Sequence, residues 1–247
     1  MPLAPDGFST LFVYLPMPPL SRSRIFKEVI PVTVTAILVV ITAVVTHQSP
    51  LRIIPLFISL VINILQTKVN RYAHLIGSLN SIQYGLIDWH YGLYGTAMTD
   101  FLVYFPFQLF TFILWSRRSY KQTTLLRSMT WKQRIWASVS CAVTWFGTFI
   151  ALRLANSNYQ ILDSTMTIAS LLISILILFA FVEYTWLMIP LGMLGVYTNT
   201  VVMMDSIDRM PFLVFSIFSL YCQVLAFFQA RRLYVEQQAF KTPTNNH

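Results

Sequence analysis

Residues 211–232 read PFLVFSIFSLYCQVLAFFQARR, twenty residues without a charge closed by Arg231 and Arg232. About 20 consecutive apolar residues are enough to cross a bilayer as a helix. Basic residues collect at the span end that stays inside the cell. This stretch therefore reads as one membrane span ending on the inner side.

Working outward, seven further runs of the same kind precede it, at 29–46, 51–67, 72–88, 94–116, 133–152, 161–182 and 185–204. Only His47-Gln48-Ser49-Pro50 separates the first two, and Trp89 to Leu93 the third and fourth, so these neighbours are antiparallel. With the N-terminus inside, fourteen of the seventeen Lys and Arg fall on the inner side and three (Arg52, Arg153 and Arg209) on the outer side. Merging or dropping one span would put a basic cluster on the wrong side. The sequence predicts about eight transmembrane helices with both termini cytoplasmic.

Composition agrees. Charged residues make up 11% of the 247 and hydrophobic ones 56%, whereas a soluble domain carries roughly a quarter charged residues. Long runs, in place of short alternating ones, favour an all-α integral membrane protein over a β-barrel. The net charge of +8 lies between the runs, which argues for the lipid bilayer as partner and against nucleic acid. Cys141 and Cys222 sit inside apolar runs and read as buried thiols. There is neither metal-ligand spacing nor a Gly-rich phosphate loop, so no cofactor, no metal and no enzyme chemistry are expected.

A repeat divides the chain. Tyr72 to Arg117-Arg118 and Tyr184 to Arg231-Arg232 are each a span, a short turn, a second span and a double arginine. Adding the preceding span gives two three-helix units, 51–118 and 161–232, joined by a connector, 119–160, that crosses once. The units are then parallel, related by an axis along the membrane normal, as in one transporter plan. Residues 1–28 form a lead-in, 29–50 an extra helix and 233–247 a cytoplasmic tail.

Polar residues inside apolar runs are costly unless they bond another helix or form a site. The first unit offers Asn80, Gln83 and Gln108, the last beside Pro106, where a kink would open a cavity. The second offers Tyr197 and Asn199, with Gln223 and Tyr221. Trp186 reads equally as an aromatic wall or as an interfacial belt residue. Asp88, Asp100, Asp163, Asp205 and Asp208 all fall outside, and an acidic vestibule would concentrate a cationic solute; Asp100 and Asp163 lie slightly within their spans. His74 and His90 read as solvated or interfacial. Gly77, Gly85, Gly92, Gly95, Gly192 and Gly195 suit close helix packing.

Certain residues carry a resemblance. Asn70-Arg-Tyr-Ala-His-Leu-Ile-Gly77-Ser-Leu-Asn80, Gly92-Leu-Tyr-Gly95, Pro106-Phe-Gln108 with Trp115, and Asp163-Ser164, Ser170 and Phe181-Val-Glu183 together resemble the PnuC family over roughly 51–232. Asn80 and Gln108 match family positions. The resemblance implies a SWEET-like core of three helices, a connector and three helices. It also implies facilitated diffusion of nicotinamide riboside or a related vitamin precursor through the bacterial inner membrane, trapping by a cytoplasmic kinase, and a homotrimer. One departure bears on substrate. Where the family carries Trp-x-x-Trp-x-x-x-Asn, this chain has Thr185, Met188 and Gly192. Thiamine, riboflavin and deoxynucleosides, carried by other branches, stay open, as does a membrane sensor that transports nothing.

Overall fold

In a computed structural model, residues 24–90, 100–154, 160–205 and 207–241 are described. Among them are eight α-helices: α1 (Arg24–Val45), α2 (Pro50–Thr67), α3 (Tyr72–His90), α4 (Phe105–Arg117), α5 (Trp131–Leu154), α6 (Gln160–Leu178), α7 (Tyr184–Asp205) and α8 (Met210–Lys241). Pro50–Thr67, Tyr184–Asp205 and Ile207–Ala239 are long and apolar enough to cross a membrane by themselves, and Val29–Val45 and Ser164–Leu178 are shorter apolar helices. α3 and α4, which fall short of that measure, carry many of the polar residues of the cavity described below, and α2 several more. Large side chains such as Ile37, Val44, Trp136 and Phe146 are exposed, an outer surface suited to lipid and not to water.

Three helices stop in the same way. The Asn70 and Val69 amides bond the Leu65 and Gln66 carbonyls, and Val69 takes a left-handed φ of 51°. Phe181 and Ala180 do the same to Leu176 and Ile177, with Ala180 at 58°. Gln48 and His47 repeat it at the end of α1, with His47 at 52°. These are Schellman caps, in which a left-handed residue returns two amides to otherwise orphaned carbonyls. Glycine is the usual residue there. Val69 and Ala180 hold equivalent places in the two units, and their caps turn α2 into α3 and α6 into α7. The cap ends α6 at Leu178, short of the expected 182.

A π-helical turn, Asp100–Tyr104, leads into α4 next to Pro106. Proline supplies no amide to the preceding turn, and the wider turn absorbs the defect. α8 runs on to Lys241, through residues that hydropathy assigns to a tail, because Leu233 and Gln237 are buried there.

Six helices close into a ring. α2 packs on α3, α3 on α4, α4 on α6, α6 on α7, α7 on α8, and α8 back on α2. Within each unit the middle helix joins the other two. Between units the first helix of one meets the third of the other, at two seams, α2/α8 and α4/α6. α5 packs on α6 outside the ring, and α1 lies on both α8 and α2.

One end of the ring is tied shut by residues 118–130. Their backbone cannot be left unpaired where it is covered. A short hairpin, β1 (Ser119–Tyr120) with β2 (Thr123–Thr124), starts the segment. The buried Gln237 then accepts from the Leu126 amide at 2.8 Å and donates to the Thr124 carbonyl at 3.0 Å. Arg127 pairs with the α6–α7 turn through Arg127 N to Ala180 O and Val182 N to Arg127 O. Glu183 accepts from the Met129 amide at 2.9 Å and from Ser128 Oγ and Arg134 Nη2 at 3.0 Å each. Beneath this strap, Val69, Trp115, Leu126, Leu176, Tyr184 and Ala230 form the largest buried apolar cluster. Both cysteines are free thiols; Cys222 is buried and Cys141 half-buried.

Candidate functional site

Inside the ring lies a cavity of about 340 Å³, within the range of small-molecule sites. Helical periodicity assembles it. Ser59, Asn63 and Gln66 line one face of α2; His74, Gly77, Asn80, Ser81 and Tyr84 one face of α3; and Asp100, Tyr104, Phe107, Gln108 and Thr111 one face of the π turn and α4. The second unit adds Ser174 and Ile177 from α6 and Phe215 from α8. Among the described residues no lysine or arginine lines this space.

Its polar groups are oriented by one another. Asn80 Nδ2 donates to Ser59 Oγ at 3.0 Å, while Asn80 Oδ1 is buried with no partner among the described residues. Gln108 Nε2 donates to Ser81 Oγ at 3.3 Å, and Ser81 in turn donates to the Gly77 carbonyl. Gly77 makes the seat for this amide, because a Cβ at that position would displace Gln108 Oε1 and lie 2.9 Å from its Cδ. Asn63 Oδ1 accepts from Ser219 Oγ at 3.3 Å across the α2/α8 seam.

Toward the strap the cavity is sealed. The His74 ring stands edge-on to Trp115, centroids 4.7 Å apart, and Trp115 Nε1 donates to the Ile177 carbonyl at 2.8 Å across the α4/α6 seam. A void of about 20 Å³ lies beyond, bordered by Gln66, His74, Trp115, Ile177, Tyr184 and Met188. His74 is therefore buried, 8% exposed, and not the solvated or interfacial residue expected. Its neighbour Trp115, distant in sequence, is what covers it.

Of the residues singled out from sequence, Gln108, Asn80 and Asp100 meet on this cavity. Gln83 is half-buried on α3 outside the lining. Trp186 and Tyr197 are 42% and 58% exposed on α7, and Asn199 donates to the Gly195 carbonyl of its own helix. The side chains of Asp163, Asp88 and His90, and residues 91–99 with Gly92 and Gly95, lie outside the described residues. Sequence reading missed Ser59, Asn63 and Gln66. Their i, i+4, i+7 spacing in an apolar run was the available signal. It also missed Tyr84 and Tyr104. Of the departing motif positions, Thr185 is buried and bonds the Val182 carbonyl, Met188 borders the small void, and Gly192 faces Gln223.

A lipid-facing ring of helices around a cavity lined by amides, hydroxyls and a carboxylate, closed at its strapped end, is the architecture of a membrane transporter. The sequence model of the family described as "Nicotinamide mononucleotide transporter" matches residues 49–232. The chain belongs to that family. Among curated proteins none matches it. A solved structure, "Crystal structure of the Vitamin B3 transporter PnuC", has the same fold, with a TM-score of 0.71 at 16% identity over 95% of this chain and 100% of that one.

Proposed function

We propose that the chain carries nicotinamide riboside, or a closely related cationic vitamin precursor, by facilitated diffusion with alternating access. One observation carries this choice within the family: the cavity wall bears the carboxylate of Asp100 and no lysine or arginine among the described residues. A nucleotide phosphate carries about −1.5 to −2 charges at neutral pH. Buried beside a carboxylate without a cationic partner, it would lose several kcal/mol of solvation per ion. A riboside presents the opposite balance, a ring cation and hydroxyls. Asp100 and the faces of Tyr84, Tyr104 and Phe107 suit the cation, and the amides of Asn80 and Gln108 suit the hydroxyls.

In this reading the strapped end is cytoplasmic, which puts the basic residues Arg117, Arg118, Lys121, Arg127, Arg231 and Arg232 inside, in a bacterial inner membrane. A second reading is thiamine, whose fixed ring cation suits Asp100 in the same way, and the replacement of the aromatic motif positions by Thr185 and Met188 leaves room for it.

Uptake into proteoliposomes, with nicotinamide riboside, nicotinamide mononucleotide, thiamine, riboflavin and deoxynucleosides side by side, tests both. Saturable riboside uptake without mononucleotide uptake is expected. Preferential uptake of the mononucleotide would overturn the charge argument.

A further inference from the structure

We propose that Gln223 is a positioning residue for substrate recognition, the second-half counterpart of Gln108, acting on the cavity wall through Ser219 and Asn63. The inference rests on the reading of the cavity as the substrate site.

The two halves repeat one contact. Gly77 and Gln108 are 31 residues apart, and so are Gly192 and Gln223. In each pair the glycine is on the middle helix of a unit and the glutamine on the third. A Cβ at Gly192 would collide with Gln223 Oε1 and lie 3.0 Å from its Cδ, as one at Gly77 would with Gln108. The shift of 115 residues that relates the pairs also takes Asp100 to Phe215, and both of those line the cavity. The halves thus share a backbone notch and an amide seated in it, but differ in the chemistry around them.

They differ too in how the amide reaches the cavity. Gln108 lines it directly. Gln223 stands one step behind: its Nε2 donates to Ser219 Oγ at 3.4 Å, and Ser219 Oγ donates to Asn63 Oδ1 at 3.3 Å. Asn63, 6% exposed, is on the wall. With its oxygen held by Ser219, Asn63 has its amide N–H groups left for the cavity. Gln223 Oε1 is itself buried without a partner among the described residues, a cost of about 1–3 kcal/mol that a mere packing residue would not carry. Leucine or methionine would fill the notch without it. Since Gln223 and Ser219 are on α8 and Asn63 on α2, the relay crosses a seam between the units and fixes a binding group of one from the other.

The test is riboside uptake in proteoliposomes by the full chain and by Gln223→Met, Gly192→Ala, Asn63→Ala and Gln223→Met/Asn63→Ala. Each single change should raise KM by about 5- to 10-fold, the loss of one net hydrogen bond, with the maximal rate held within about twofold on the same principle. The double variant should be no worse than Asn63→Ala. Gly192→Ala should be rescued by adding Gln223→Asn, whose shorter arm leaves room for the methyl. An unchanged KM in Gln223→Met, multiplying effects in the double variant, or loss of maximal rate alone overturns the relay. If Gln223→Met does not fold, Gly192→Ala, which keeps the amide, decides on the same readout. Wild-type protein that takes up no solute overturns the functional reading and the relay together.

Discussion

The indole nitrogen of Trp115 donates to the carbonyl oxygen of Ile177 at 2.8 Å, so a side chain of the first unit completes the C-terminal cap of a helix in the second. The same carbonyl already accepts from Ala180. Trp115→Phe keeps an aromatic ring and removes only the donor. Its thermal unfolding in detergent should show a loss of about 1 kcal/mol, and Trp115→Ala a loss of about 3–5 kcal/mol. A Phe variant as stable as wild type would mean the bond does not fasten the seam.

Gly77→Ala should act as a mutation of Gln108, because the methyl group enters the space of the amide. Uptake should show KM raised about tenfold, as in Gln108→Leu, on the loss of roughly 1.4 kcal/mol. Gly147→Ala makes the contrast. Nothing lies within 4 Å of a Cβ there, so stability should rise by about 0.5–1 kcal/mol through helix propensity, with uptake unchanged.

Asp100→Asn should weaken uptake of a cationic solute and spare a neutral one. A carboxylate facing a ring cation across a partly hydrated cavity contributes about 1 kcal/mol, or about fivefold in half-saturation. Equal effects on thiamine and on a deoxynucleoside would show that Asp100 works by shape.

Glu183→Gln should destabilise without touching affinity. Its carboxylate oxygen receives the Met129 amide, Ser128 and Arg134, and both ion-pair side chains are largely covered. A loss of about 1.5–3 kcal/mol follows for a charged acceptor, read as a lower melting temperature with KM unaltered.

Removing residues 1–46 should leave KM unchanged, because among the described residues none of α1 lines the cavity. Val39 and Ala43 of α1 are buried with Ile53 and Leu56, so the truncated protein should melt earlier.

The helices could be read from sequence because the bilayer forces every span to be long, apolar and internally hydrogen-bonded. Expected and observed spans agree within a few residues except where capping or burial intervened, at Ala180 and in the extension to Lys241, and in the fourth span, which opens with the π turn Asp100–Tyr104 and whose first residues, 94–99, lie outside the described ones. The site was only half legible. Asn80 and Gln108 stood out as amides in apolar runs. Tyr197 and Trp186 carried the same kind of signal and proved exposed, because periodicity does not say which polar stripe faces the ring and which faces outward. The role of Gln237 was out of reach for another reason. Its partners, Leu126 and Thr124, lie more than a hundred residues away, and nothing local marks such a contact.

The placement of α1 bears on how the ring is held closed. Of the two joints at which the units meet, α4/α6 is spanned by the chain itself, through residues 118–130 and α5. The α2/α8 joint has no such continuity. It has α1, which precedes α2 by a four-residue turn, Thr46 to Ser49, and rests on α8. α1 thus lies across that joint as a splint, in contact with a helix of each unit. The splint lies outside both the matched residues 49–232 and the described cavity wall, so its loss should act on how the units are held together and leave selectivity unaltered.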